Sequence, residues 1–391
     1  MNIRKKTVAL TLCLSFAASL MACQKPGVPE EQTGQEAEEF ARQTEPDHFY
    51  EEVEEGLLVD AAVDRPEGNV TPKIYMARRP DFSKESLYAF LDYIGDPVEE
   101  VRVDRTEDQM YNFDGVCASG GHAIALVGLS AGSSECSISY NRLDADRWYS
   151  AMLCEGDTRQ YVDPTGSDDN TDLFSEPQDF SFATEEEALA AVKKALALLD
   201  VDVGSLELQR TLYLSHEALA IAERSQLVQE KNGVKGEEMV KEAWTEDDDG
   251  YMFTFNCGQD GIPMLESGWY GQTEEYVPVT IWVRYNRQGV TNLVVQGALN
   301  FEEVVEEPPS IVPASEALAL AKEITQSVVS SYDRVIDGIS LRYYSRQDGD
   351  RWLLTPCWEV AVCQKGVKLS EDMVRDVYTY IVIDALTGVE K

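Results

Sequence analysis

The sequence predicts an α+β protein: antiparallel sheets, each preceded by a helix, in two or three domains behind a signal peptide and a disordered tether. Three observations carry this. The first 47 residues hold a charge-free apolar run, then a stretch rich in Glu, Gln, Pro and Gly. Most of the chain beyond residue 47 alternates apolar and polar residues with a period of two, the pattern of a half-buried strand. Helical patterns, with apolar residues three and four apart, stand just ahead of strand-rich stretches. The parts are 1–22, a lipoprotein signal peptide; 23–47, an acidic tether; 48–175, a mostly β domain; 176–305, a helix-plus-sheet domain; and 306–391, a second helix-plus-sheet domain.

The run from Val8 to Ala22 has 15 residues and no charge. A membrane-spanning helix needs about 20. It follows Arg4, Lys5 and Lys6, as the apolar core of a secretory signal does. It ends Leu20-Met21-Ala22-Cys23, which resembles the lipobox of bacterial lipoproteins. That resemblance implies that Cys23 is lipidated and becomes the new N-terminus, so the chain is expected on the extracytoplasmic face of the cell membrane, held by membrane lipid through Cys23. Gln24 to Asp47 has almost no large apolar residue. Such a segment cannot build a core and reads as a leash.

The formal net charge is −38, and removing residues 1–22 takes away three basic residues and no acidic one. A body this acidic repels phosphate backbones, which excludes nucleic acid as a partner. It suits a cationic peptide or a calcium ion, or serves as a solvated surface.

Within 48–175, "LLVDAAVDRPEG" and "PKIYMARRPDF" read as strand, turn, strand. "SKESLYAFLDYIGD" reads as a short helix that Ser83 caps, with Leu87, Phe90 and Leu91 on one face. "HAIALVGLSAGSSECSISYNRLDADRWYSAMLC" reads as a meander, and "DPTGSDDNTDLFSEPQD" as a boundary loop. In the next part Thr184 and Glu187 form a capping box, ahead of Leu189, Val192, Leu196 and Leu199 on one face. A further helix is expected from Ser215, then strands in "YMFTFNC", "YVPVTIWVRYN" and "VTNLVVQGALNF". After the linker "VEEPPSIVP", the helix "PASEALALAKEITQSVVSSY" precedes strands in "GISLRYYSRQ", "RWLLTPCWEVAVCQK" and "VYTYIVIDAL".

Six cysteines come after Cys23: Cys117, Cys136, Cys154, Cys257, Cys357 and Cys363. Export permits disulfides. Cys357 and Cys363 lie six residues apart on one strand face, about 20 Å, too far to bond. "SECSISYNR" and "RWYSAMLC" flank "LDAD" as a hairpin centred on Ala145 would. Its register sets Cys136 opposite Cys154, within disulfide range; the other reading is two small buried apolar residues.

The ending "YTYIVIDALTGVE", with "PCWEVAV" and the helical "SEALALAKE" before it, resembles PepSY-type modules, where a strand runs into Asp-Ala-x-Thr-Gly. "DGIPM" with "VTIWVRYNRQGVTNLVV" after it is similar to repeats of YycH/YycI-type regulators. The whole chain resembles uncharacterised lipoproteins of anaerobic Gram-positive bacteria. These resemblances imply an α+β fold, with a PepSY-like part at 306–391. They also imply work by binding or inhibition at a membrane, as YycH/YycI-type proteins act on a sensor kinase.

The residues offer little chemistry. Gly128-Leu-Ser130-Ala-Gly132 matches the G-x-S-x-G elbow, which needs a strand before the serine and a helix after it. The strand is there, but "SSECSISY" alternates like another strand, so a Gly-rich turn fits better. Only His216 stands at the right place in the elbow's residue order. The three histidines and six cysteines form neither H-E-x-x-H nor C-x-x-C, so no metal or cofactor is expected. Aligning Gly250 with the glycine of an EF-hand puts Thr245 and Asn256 where Asp and Glu are required. In "ESGWYGQTEEY", Trp269 and Tyr270 stand between glycines and could stack on a sugar or anchor a peptide. The expectation is a lipid-anchored binding or regulatory protein without catalytic residues, acting on an envelope or membrane protein or peptide. The alternatives are an envelope serine hydrolase using Ser130, or a carbohydrate-binding surface lipoprotein.

Overall fold

Alternating segments form strands throughout the computed structural model of the chain, which describes residues 46–66, 71–107, 110–128, 136–142, 173–221, 243–265, 279–368 and 374–391. In chain order these contain β1 (His48–Glu54), β2 (Leu57–Asp64), β3 (Ile74–Arg78), α1 (Lys84–Tyr93), β4 (Val98–Glu107), β5 (Met110–Cys117), β6 (His122–Gly128), β7 (Cys136–Asn141), α2 (Glu185–Leu198) and β8 (Leu206–Leu214). Next come β9 (Gly250–Gln259), β10 (Ile262–Pro263), β11 (Thr280–Asn286), β12 (Gly289–Gln296), β13 (Asn300–Glu306), α3 (Ala314–Ser327), β14 (Arg334–Asp348), β15 (Arg351–Lys368) and β16 (Val374–Asp384).

Strand makes up 53% and helix 19%, so the fold is mostly β with few helices, a coarser description than the expected α+β arrangement of antiparallel sheets each preceded by a helix. The helices α1, α2 and α3 are 10 to 14 residues long. One sheet runs β1-β2-β14-β15-β3-β13, with β16 beside the second half of β15. The other runs β10-β9-β11-β12-β7-β6-β5-β4, with β8 on the other edge of β9. The first sheet is mixed rather than antiparallel, because β2 pairs in parallel with β14.

Its strands come from all three expected domains. The boundary expected at 305 falls inside β13, and the segment 306–391 lends β14, β15 and β16 to a sheet that β1, β2, β3 and β13 complete. The segments 48–175, 176–305 and 306–391 are therefore not separate sheets. Local periodicity reports that a segment is a strand and not which strand it pairs with.

One apolar core runs through both sheets and α1, α2 and α3. Ser83 Oγ accepts from the Ser86 N–H, and α1 buries Leu87, Phe90 and Leu91 as its spacing predicts. The Thr184–Glu187 capping box closes in both directions, and α2 buries Val192 and Leu196. Phe90 packs edge-on to Tyr140 of β7, which sets α1 on the nine-stranded sheet. The face of α3 is made of small residues, Ala314, Ala317 and Ala321, which lets it lie close on β15. Trp358 of β15 donates its indole N–H to the Val312 carbonyl just ahead of that helix.

The two sheets are joined at the β9–β10 turn. Asp260 and Gly261 both take positive φ, 57° and 74°, as a tight hairpin turn requires. The Leu265 N–H then donates to the Tyr343 carbonyl of β14 at 2.9 Å, and the Tyr75 hydroxyl of β3 donates to Asp260 Oδ2 at 2.7 Å. The rings of Tyr75, Phe301 and Tyr343 meet edge to face beneath. Each such ring buried stabilises by roughly 1.5–3 kcal/mol.

Because β14 and β15 depend on β2 and β3 for their outer pairing, residues 306–391 expressed alone are expected to show no cooperative thermal transition by circular dichroism. A sharp two-state melt of that fragment would show that it is a domain in its own right.

Candidate binding surface

Of the residues singled out in the sequence, Cys136 is described; Cys23, Ser130, Cys154, Trp269 and Tyr270 lie outside the described residues. Cys136 is fully buried at the start of β7. The edges of β7 are filled by β6 and by β12, a strand far along the chain; Cys154 and the strand expected to carry it lie outside the described residues. Cys357 and Cys363 sit on one continuous strand, β15.

The described thiols are poor nucleophiles. Burial pushes Cys117 up to about 12, with Asp96 adding to it. Burial pushes Cys136 up to about 11 against the pull of Arg79, and Cys257 up to about 12. Cys357 is raised further by burial and Glu359. A thiol so held stays protonated at neutral pH.

Two buried polar groups that the sequence did not signal are engaged in packing. Asp96 is 1% exposed. It accepts from the Ser119 N–H and Oγ at 2.8 Å each and from the Tyr140 hydroxyl at 2.7 Å. It thereby ties the end of α1 to the β5–β6 turn and to β7. Asp249 accepts from the His216 backbone N–H at 2.7 Å, and its Oδ1 lies 2.9 Å from His216 Nδ1. The bond to Asp249 raises the His216 pKa, while burial raises that of Asp249.

A His–Asp pair is half of a hydrolase triad, so its distance from Ser130 matters. Leu214, two residues before His216, pairs with Gly250, at the end of the sheet where Asn286 and Gly289 lie. Gly128 and Cys136, which flank residues 129–135, lie at the other end, beside Gln296 and Gly297. The length of β12 between those ends is about 23 Å. His216 lies at the end of the sheet away from Gly128, and His122 opens β6 at the end far from Gly128; Ser130 itself lies outside the described residues.

The other charged clusters fasten segments together. Arg78 holds Asp200 through two bonds of 2.6 and 3.2 Å and Glu302 at 3.2 Å. Arg342 joins Asp64 at 3.0 Å and Glu359 at 3.6 Å. Among the described residues no group of three or more His, Cys, Asp or Glu side chains is placed to hold a metal ion.

Among the described residues, what remains open is the sheet edges. The seven-stranded sheet ends in β1 and β13, and the nine-stranded sheet in β4 and β8. Register shifts interrupt β4 and β13 twice each and β8 once. β1 keeps regular register from His48 to Glu52 and shifts once after it, between Glu52 and Glu54, as β4 keeps it from Val103 to Glu107 and β8 from Arg210 to Leu214. The outer edge of β16 is occupied at its end, where Val389 and Lys391 bond back to Asp384 and Val382.

No family model matches the chain, and no curated protein matches it. Among solved structures its fold is similar to that of an uncharacterised protein from Eubacterium rectale ATCC 33656, an anaerobic Gram-positive bacterium. The TM-score is 0.58 at 16% identity, over 88% of this chain and 93% of that one. Identity this low shows a shared fold.

Replacing Asp96 by Ala strands the Tyr140 hydroxyl and both Ser119 donors in the interior. Urea unfolding is expected to show a loss of about 3 kcal/mol or more. The His216–Asp249 pair gives a pH dependence. Its folded-state pKa lies above the ordinary 6.5, so its contribution is complete below about pH 6.5 and is lost as the pH rises through the raised value. The stability gap between the wild type and His216→Ala is expected to be widest near pH 5.5 and to narrow towards pH 9. A gap that widens with pH would overturn the pairing.

Proposed function

We propose that the chain is a lipid-anchored, extracytoplasmic protein without catalytic activity that binds or regulates an envelope or membrane protein or peptide. The observation that carries this reading is that, among the described residues, both sheets have open edges. Their edge strands present backbone donors and acceptors to solvent, and such an edge takes up an extended segment of another chain as an added strand. The net charge of −38 favours a cationic partner and speeds its arrival. The helix-then-three-strand order of α3, β14, β15 and β16 agrees with the PepSY-type resemblance, whose modules work by binding. The signal-like N-terminus with Cys23 supports the anchor, and no helix among the described residues is long and apolar enough to cross a membrane.

Cross-linking in the native membrane, with capture identified by mass spectrometry, tests the reading. One dominant membrane or envelope protein is expected, and the Cys23→Ser variant should leave the membrane fraction and lose it. A wild-type protein that captures nothing, or a Cys23→Ser variant that stays membrane-bound and captures the same protein, would count against it.

A further inference from the structure

We propose that the outer edge of β1 is the docking edge, and that its occupant is an extended peptide segment carrying lysine or arginine between apolar residues. This rests on the binding reading above and narrows it to one strand.

Hydrogen-bond phase picks out the groups. Val63 donates its N–H to the Asp47 carbonyl at 2.9 Å, and the register runs on from there as His48↔Ala62 to Glu52↔Leu58. In an antiparallel ladder every second residue faces its partner. Phe49 and Glu51 therefore bond to β2, while the N–H and C=O of His48, Tyr50 and Glu52 point away from it. Three residues in phase can pair with an incoming strand, and no bulge interrupts them.

Other edges keep regular stretches too, Val103–Glu107 on β4, Arg210–Leu214 on β8 and Val377–Ile381 on β16, but none of these carries the acidic run of β1. β13 resembles β1 in sequence, "FEEVVEE" at 301–307 against "FYEEVEE" at 49–55. Its two register shifts, however, break the phase of its outer groups, and bulges are a standard protection of edges. On β1, Tyr50 is 65% exposed and its ring offers an apolar contact beside the open groups.

Charge selects the occupant. From Asp47 to Asp60 inclusive there are six carboxylates. The cations that reach them are Arg65, Lys322 and Arg334, with His48 on Asp60. The edge keeps a net negative charge, so an added strand gains from basic side chains. A second copy of this chain is disfavoured, because two β1 edges would bring carboxylate against carboxylate.

The probe is a fluorescent nine-residue peptide alternating lysine with valine, and its counterpart alternates glutamate with valine. Binding to the full chain in detergent is read by anisotropy. Tyr50→Pro removes one outward donor without touching a bond to β2, as proline on an edge strand can, and unchanged thermal melting checks the fold. The lysine peptide is expected to bind and the glutamate peptide not to bind. Affinity is expected to fall roughly tenfold in Tyr50→Pro and again in Glu52→Lys, and to stay unchanged in Val305→Lys on β13. Equal binding by wild type, Tyr50→Pro and Glu52→Lys would overturn the assignment, as would loss confined to Val305→Lys. Failure of the lysine peptide with all of them removes the β1 edge while leaving any cross-linked partner standing; failure of both experiments removes the binding reading itself.

Discussion

The parallel pairing of β2 with β14 is the contact on which the rest of the molecule depends. It joins residues 57–64 to residues 334–340, nearly the whole described chain apart. Without it the β1–β2 hairpin has no sheet to join, and β14 loses one edge over its first half. Parallel strands cannot be joined by a short turn, so such a pair requires a long connection. Here that connection includes the entire second sheet. The loop-closure entropy is a cost that only a large shared core offsets, and the core that fills the space between the sheets is continuous across both.

That arrangement explains where the buried charge sits. Arg342 and Asp96 each link segments distant in sequence, as the half-exposed Arg78 does nearer the surface. A charge or carboxylate in an interior is tolerated when its bonding capacity is met, and Asp96, with three donors, meets that condition. These charged clusters are therefore explained by assembly rather than by chemistry. Burial likewise keeps the described thiols protonated and inert.

Acidity has a second role at the surface. Both edges of the seven-stranded sheet carry pairs of glutamates, at 51–52 and 54–55 on one side and at 302–303 and 306–307 on the other. Like charges on two edges of one sheet prevent copies from stacking edge to edge. The same charge leaves an oppositely charged strand welcome, so protection against self-association and selection of a cationic partner arise from one composition.

Local features were legible from the residues alone. The Ser83 cap, the Thr184–Glu187 capping box, the buried face of α1 and the alternation of Cys136, Ile138 and Tyr140 all depend on neighbours within one or two turns, and the structure contains each of them. The pairing of β7 with β12 and the place of β13 beside β3 were not legible, because they depend on which strand wins an edge. The β1 edge was equally hidden, because which groups of β1 face outward is set by its register with β2. The sequence by itself determined the strand-rich composition, the caps, the apolar faces and the acidic charge, since these are written in short-range periodicity. Only the tertiary structure decided that strands from both halves of the chain share one sheet, because strand pairing is chosen by competition among distant segments for the same hydrogen bonds.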